Sequence, residues 1–166
     1  KSAVLVILGD RLVSRVRKLD FWKGLSRNHR SDPEVLRVYI RFLIDERMYT
    51  VAETLLLQYL KRKWEPSLVL MYSRIPVEPA GKQQQQLDDW SKTRNYETEL
   101  KLAKAYYAAR VGLWGVAKIE AEDVCSKKPT PAVYKLLAEI AAATGETEKA
   151  CSYRENGLNL ALERMS

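Results

Sequence analysis

The chain has 166 residues, with 28 lysines and arginines against 21 aspartates and glutamates, so its formal charge is +7. A content of 46% hydrophobic and 30% charged residues is that of a globular domain rather than a disordered chain, and seven glycines and six prolines are too few for a loop-rich all-β fold. Two cysteines and one histidine argue against a disulfide scaffold, a His/Cys metal cluster and catalysis that needs several histidines, and two cysteines fit a reducing compartment or a chain indifferent to one.

Apolar residues recur at helical spacing along almost the whole chain. Leu5, Leu8, Leu12, Val16, Leu19 and Trp22 form a first stripe and predict one amphipathic helix over about 3–24, closed by Gly24 and the polar run 26–31. Asp32-Pro33-Glu34 is a helix start, with an aspartate cap, a proline in the first position and an acid in the first turn. Val35, Leu36, Tyr39, Ile40, Leu43 and Ile44 belong to that helix. Tyr49, Ala52, Leu55, Leu56 and Tyr59 belong to the next, which ends in Lys61-Arg62-Lys63, where cations suit the helix dipole. Pro66 opens a further helix, and Pro76, Pro79 and Gly81 mark the clearest loop. Gln83–Gln86 reads as the solvated face of a helix that reaches Leu87 and Trp90. Asn95 is expected to cap a helix from Tyr96 to about Val111, ended by Gly112. Helices over 114–126, 132–143 and 146–163 follow, separated by Pro129 and Gly145; Thr130-Pro131 starts the second of them, and Leu158, Leu160, Ala161 and Leu162 are expected to form the apolar face of the last. No stretch alternates with a period of two, so no strand is expected.

The helices repeat. Ala138, Gly145 and Ala150 lie 7 and 5 residues apart, Gly112 and Ala117 repeat the second interval, and Ala117 to Ala150 is 33 residues. Pro129 comes 12 residues after Ala117, and Ala52 precedes Ala117 by 65, close to two periods. This pattern resembles tetratricopeptide repeats, in which small residues let two antiparallel helices cross closely. Ala103 is taken as the small residue of the third unit, which makes that unit two residues too long, and Arg47 stands where a glycine is usual. The resemblance implies an all-α, right-handed superhelix of antiparallel helix pairs (an α-α solenoid). Residues 1–31 are expected to be an amphipathic capping helix and linker. Residues 32–166 are expected to hold units at about 32–65, 66–95 (eroded), 96–129 and 130–163, all in one cooperative domain.

Several local strings point further. They are Phe21-Trp22-Lys23 with Asn28-His29-Arg30, Ala52-Glu53 with Leu60-Lys61-Arg62-Lys63-Trp64-Glu65, Leu113-Trp114-Gly115, and Glu155-Asn156-Gly157-Leu158. In this order they resemble the C-terminal tetratricopeptide portion of HemY-type proteins, a bacterial family associated with haem (porphyrin) biosynthesis. That resemblance implies an inner-membrane protein with an N-terminal anchor and a repeat domain on the cytoplasmic side. It also implies a supporting, non-catalytic role in a late step of protohaem synthesis. The unrelated flavin oxidase that shares the name is set aside, because the chain has no GxGxxG. The longest apolar run, Ala3–Leu8, is far short of the roughly 20 residues of a membrane helix. No signal peptide is visible. The chain opens at Lys1 rather than a methionine, so it reads as a piece of a longer protein.

Chemistry is sparse. His29 reads as a solvated loop residue, Cys125 and Cys151 as buried free thiols, and the four tryptophans as packing anchors. Asp88-Asp89 and Glu120/Glu122/Asp123 lack a catalytic partner. No enzyme activity, cofactor or metal is expected. Residues 1–63 hold 14 basic and 7 acidic side chains, while 64–166 hold 14 of each. The basic half suits an anionic membrane surface or an acidic partner. Nucleic acid fits poorly, since aromatics do not alternate with the basic residues. By the geometry of tetratricopeptide stacks, the first helix of each unit lines a groove, which places Arg37 and Arg41, Lys104 and Tyr107, and Lys135 and Glu139 on its exposed face. Cations on three helices suit carboxylates. The expected function is a protein-interaction scaffold for haem-pathway enzymes; a porphyrin or haem carrier and a general peptide-binding adaptor are the alternatives.

Overall fold

The computed structural model describes residues 1–94 and 97–164. The described residues form helices and connecting turns, with no strand. They divide into two compact units, Lys1–Val77 and Glu78–Ser166. The first holds α1 (Ser2–Gly9), α2 (Arg15–Gly24), α3 (Arg27–Arg30), α4 (Pro33–Asp45), α5 (Tyr49–Arg62) and α6 (Pro66–Arg74). The second holds α7 (Ala80–Arg94), α8 (Thr98–Arg110), α9 (Trp114–Lys127), α10 (Pro131–Ala143) and α11 (Thr147–Glu163). The helices of residues 1–31 therefore belong with α4–α6, α1 packing on α4. The two helices of the eroded repeat, α6 and α7, belong to different units. The expected cap at Asn95 lies outside the described residues.

Three helix pairs share one local design: α4/α5, α8/α9 and α10/α11. Their first helices are each 13 residues long. Each ends in a residue of positive φ, namely Arg47 at 58°, Gly112 at 80° and Gly145 at 79°. The next amide reaches back to the helix: Met48 to the Leu43 carbonyl, Leu113 to Ala108 and Glu146 to Ala141, each at 2.8 Å. This is the Schellman arrangement, in which a left-handed residue lets two late amides satisfy helix-end carbonyls. The start signals are equally local. The Asp32 carboxylate accepts from the Glu34 and Val35 amides, and the Thr130 hydroxyl accepts from the Val133 amide. Pro129 keeps Lys128 out of the helical region (φ −145°, ψ 76°) and so stops α9.

The turn geometry corrects the repeat register. Counting back from the left-handed residues, Ile40, Ala105 and Ala138 are equivalent, and all three are buried. The small residue of the third pair is therefore Ala105, not Ala103, and the expected two-residue insertion disappears. Ala103 is also fully buried, as the equivalent of Leu136. Ala52, Ala117 and Ala150 remain equivalent, each at most 1% exposed.

Arg47 adopts the left-handed conformation that the other two turns give to glycine, at a cost of order 1 kcal/mol for a residue with a Cβ. Arg47→Gly is expected to raise stability by about 0.5–1 kcal/mol, less than the full strain because glycine also frees the unfolded chain. Urea denaturation checks this. A lower midpoint in the variant would mean that the arginine side chain makes a contact worth more than the strain.

The core of the first unit includes Val35, Ile40, Leu43, Leu56, Leu68 and Tyr72. That of the second is lighter: Ala105, Ala108, Ala117 and Ala121 pack with Val124, Val133, Leu136, Leu137 and Ile140. Alanines dominate because the helices approach closely there. Gly157 shows the same demand, since a Cβ added to it would lie 3.0 Å from the Tyr134 Cβ.

Four other expectations are corrected. The N-terminal segment is three helices, not one: α1 ends at Gly9, and Ser14 starts a new helix by accepting from the Arg17 amide. Leu12 and Val16 consequently leave the stripe and are 93% and 67% exposed. Gln83 is fully buried and receives a hydrogen bond from the Arg110 guanidinium, so that side chain is not part of a solvated face. Cys151 is exposed; only Cys125 is sheltered, and its partial burial raises the thiol pKa. On α11 the inward residues are Ala150, Tyr153 and Gly157, whereas Leu158 and Leu162 are 61% and 55% exposed.

Candidate functional site

A concavity of about 710 Å³ opens in the first unit between the α1–α2 turn and α4. Its construction is local at first. The Asp10 carboxylate accepts from the Leu12 amide at 2.8 Å, which folds the chain back after α1. Ser14 then caps α2 and sets Arg15 at its first position. Tertiary packing completes it. Trp22 of α2 stacks on Tyr39 of α4 with centroids 3.9 Å apart and planes within 7°. Lys18, only 7% exposed, places its ammonium 5.0 Å from the centre of the Phe42 ring.

Five cations line this concavity, Arg11, Arg15, Lys18, Arg37 and Arg41, against two acids, Asp45 and Glu46. Arg15 pairs with Glu46 at 3.6 Å, and Lys18 is held by the Phe42 ring. Arg11, Arg37 and Arg41 have no ion-pair partner among the described residues. Arg37 and Arg41 are four apart on α4 and both are exposed, so two guanidinium forks stand on one helix face. Such forks bind carboxylates or phosphates through pairs of charge-assisted hydrogen bonds.

The other expected groove residues lie in the second unit and differ in character. Tyr107 is 5% exposed and packed under the Arg110 guanidinium, 5.5 Å from the ring centre, so it is a core residue rather than a groove residue. Lys104 is neutralised by Asp88 at 3.4 Å and Glu120 at 3.6 Å. Lys104 follows Ala103 as Arg41 follows Ile40, so it depends on the Ala103 register, whereas Tyr107 is the equivalent of neither arginine in either register. The turn register makes Leu102 and Tyr106 the equivalents of Arg37 and Arg41, and these pack against the core. Lys135 and Glu139 are correctly equivalent and exposed, but they lie 4.0 Å from one another and cancel in charge.

Other lysines of the second unit are paired in the same way. Lys101, Lys118, Lys127, Lys128 and Lys149 all have carboxylate partners. Glu146, held by Lys118 and Lys149, has its carboxyl pKa pulled down to about 2. Divided at Val77, the net charge is +7 on the first unit and zero on the second. Sequence reading found the charge excess and two of the arginines. It missed Arg11, Arg15 and Lys18 as part of the same concavity, because a continuous helix over 3–24 hides the turn. Gly9-Asp10 followed by Ser14 was the available signal.

Among the described residues no group of three or more His, Cys, Asp or Glu is placed to hold a metal ion, and no helix is long and apolar enough to cross a membrane. No protein-family model, curated protein or solved structure matches the chain.

Proposed function

We propose that this chain is a non-enzymatic interaction scaffold of tetratricopeptide type, and that its first unit holds an acidic segment of a partner protein in the basic concavity. The observation that carries this reading is the contrast in pairing: among the described residues Arg11, Arg37 and Arg41 have no ion-pair partner around one hollow, whereas Lys101, Lys104, Lys118 and Lys128 of the second unit are matched by acids. The three repeated helix pairs support the tetratricopeptide assignment, since turn, spacing and small crossing residues recur together. The HemY-type strings support a partner among the late enzymes of protohaem synthesis and a full-length protein at the bacterial inner membrane.

A fluorescein-labelled oligoglutamate peptide with a free C-terminus tests the site by anisotropy. Binding is expected to weaken with salt. Arg37→Glu with Arg41→Glu is expected to lower affinity by about tenfold or more at unchanged helicity, as loss of two charge-assisted contacts requires. Lys135→Glu is expected to change it little. Equal affinity of the double variant and the parent chain would place the acidic-peptide site elsewhere. Crosslinking in bacterial membranes followed by identification of the partners tests the haem-pathway assignment separately.

A further inference from the structure

A second, smaller hollow of about 320 Å³ lies in the first unit, walled by α2, α3, the start of α4 and α5. Arg27 and Arg30 reach it from α3 and Arg62 from the last turn of α5. No acidic residue lines it. None of the three arginines has an ion-pair partner among the described residues, and the one contact of Arg62 is its own Nε donating to the Gln58 carbonyl at 3.2 Å. Arg27 and Arg30 are three apart and so share a helix face. The floor is apolar and aromatic, with Trp22 and Leu36 both buried.

Tyr59 also lines the hollow and is 6% exposed. Its hydroxyl is closed off from solvent, so the hollow's polar lining is the three guanidinium groups with Ser31 and Gln58.

Three guanidinium charges around one small hollow repel one another, and a single carboxylate leaves most of that charge uncompensated. A group that concentrates two negative charges on several acceptor oxygens matches it better. We propose that this hollow binds a phosphate monoester dianion through Arg27, Arg30 and Arg62. The group can come from a soluble phosphorylated metabolite or from a phosphatidic acid headgroup. The site is distinct from the basic concavity described above.

Proton–nitrogen NMR of the arginine Nε groups in the full 166-residue chain distinguishes the two hollows directly. Inorganic phosphate and phenyl phosphate are expected to shift the Arg27, Arg30 and Arg62 signals saturably, with acetate much weaker. Arg62→Gln is expected to weaken phosphate binding by about tenfold. Phosphatidylcholine vesicles with and without phosphatidic acid separate the sources. Saturable shifts with the soluble probes favour a metabolite, and shifts seen only with phosphatidic acid favour the headgroup. Shifts that stay linear, spread equally over Arg11, Arg37 and Arg41, or survive Arg62→Gln unchanged would overturn the proposal. Because the probe lacks a carboxylate and the reporters are residue-specific, failure here leaves the acidic-peptide reading untouched, and the reverse also holds.

Discussion

Leu137→Ala is expected to destabilise the second unit by about 2–5 kcal/mol, whereas Leu158→Ala is expected to cost less than about 0.5 kcal/mol. Leu137 is 2% exposed and sits in the cluster shared by α8, α9 and α10. Truncating it removes buried methyl groups and leaves a cavity that close-packed alanines around it cannot refill. Leu158 is 61% exposed, so its truncation removes little area from contact. Urea denaturation of the two variants beside the parent chain gives both values. Comparable losses would mean that α11 turns its leucines inward, as its sequence alone suggests, and that the structure has the wrong face of this helix against α10.

Gly157→Leu is expected to cost about 1–3 kcal/mol or more, and Gly157→Ala far less. The added Cβ would meet the Tyr134 Cβ at 3.0 Å and the Pro131 carbonyl oxygen at 3.7 Å. The carbonyl contact is an ordinary one, but the Tyr134 Cβ is fixed at the root of its side chain, so the strain there is relieved by moving α11 away from α10. For alanine the strain is opposed by a gain in helix propensity of about 1 kcal/mol relative to glycine. For leucine the further carbons have no space. Thermal midpoints order the two variants, and a leucine variant as stable as the alanine one would show that the α10–α11 crossing is looser than the structure gives.

The three leucines and the glycine of α11 show how a stripe of large apolar residues can mislead. Leu158, Leu160 and Leu162 mark the hydrophobic side by composition, yet Ala150, Tyr153 and Gly157 make the contact. Where helices cross closely, the buried face is selected by smallness, and the larger side chains stand beside it. The same effect displaced the repeat register. Ala103 and Ala105 are both buried alanines two residues apart, and only the left-handed turn at Gly112 tells which is equivalent to Ala138.

Helix boundaries set by local chemistry were legible in the residues themselves. Asp32-Pro33, Thr130-Pro131, Gly112 and Gly145 act through their own caps, ring constraints and φ values, which no distant neighbour needs to supply. So was the charge excess of the N-terminal half, since charge is counted and not folded. Tertiary structure alone decided the rest. It buried Gln83 against Arg110 and Lys18 against Phe42, made Tyr107 a core residue, and left Leu12 in solvent. It also gathered Arg11 from a turn with Arg37 and Arg41 from a helix around one hollow. The physical reason is that a side chain's burial, and the sum of charges around a cavity, depend on residues far away in the chain, to which cap and turn chemistry is blind.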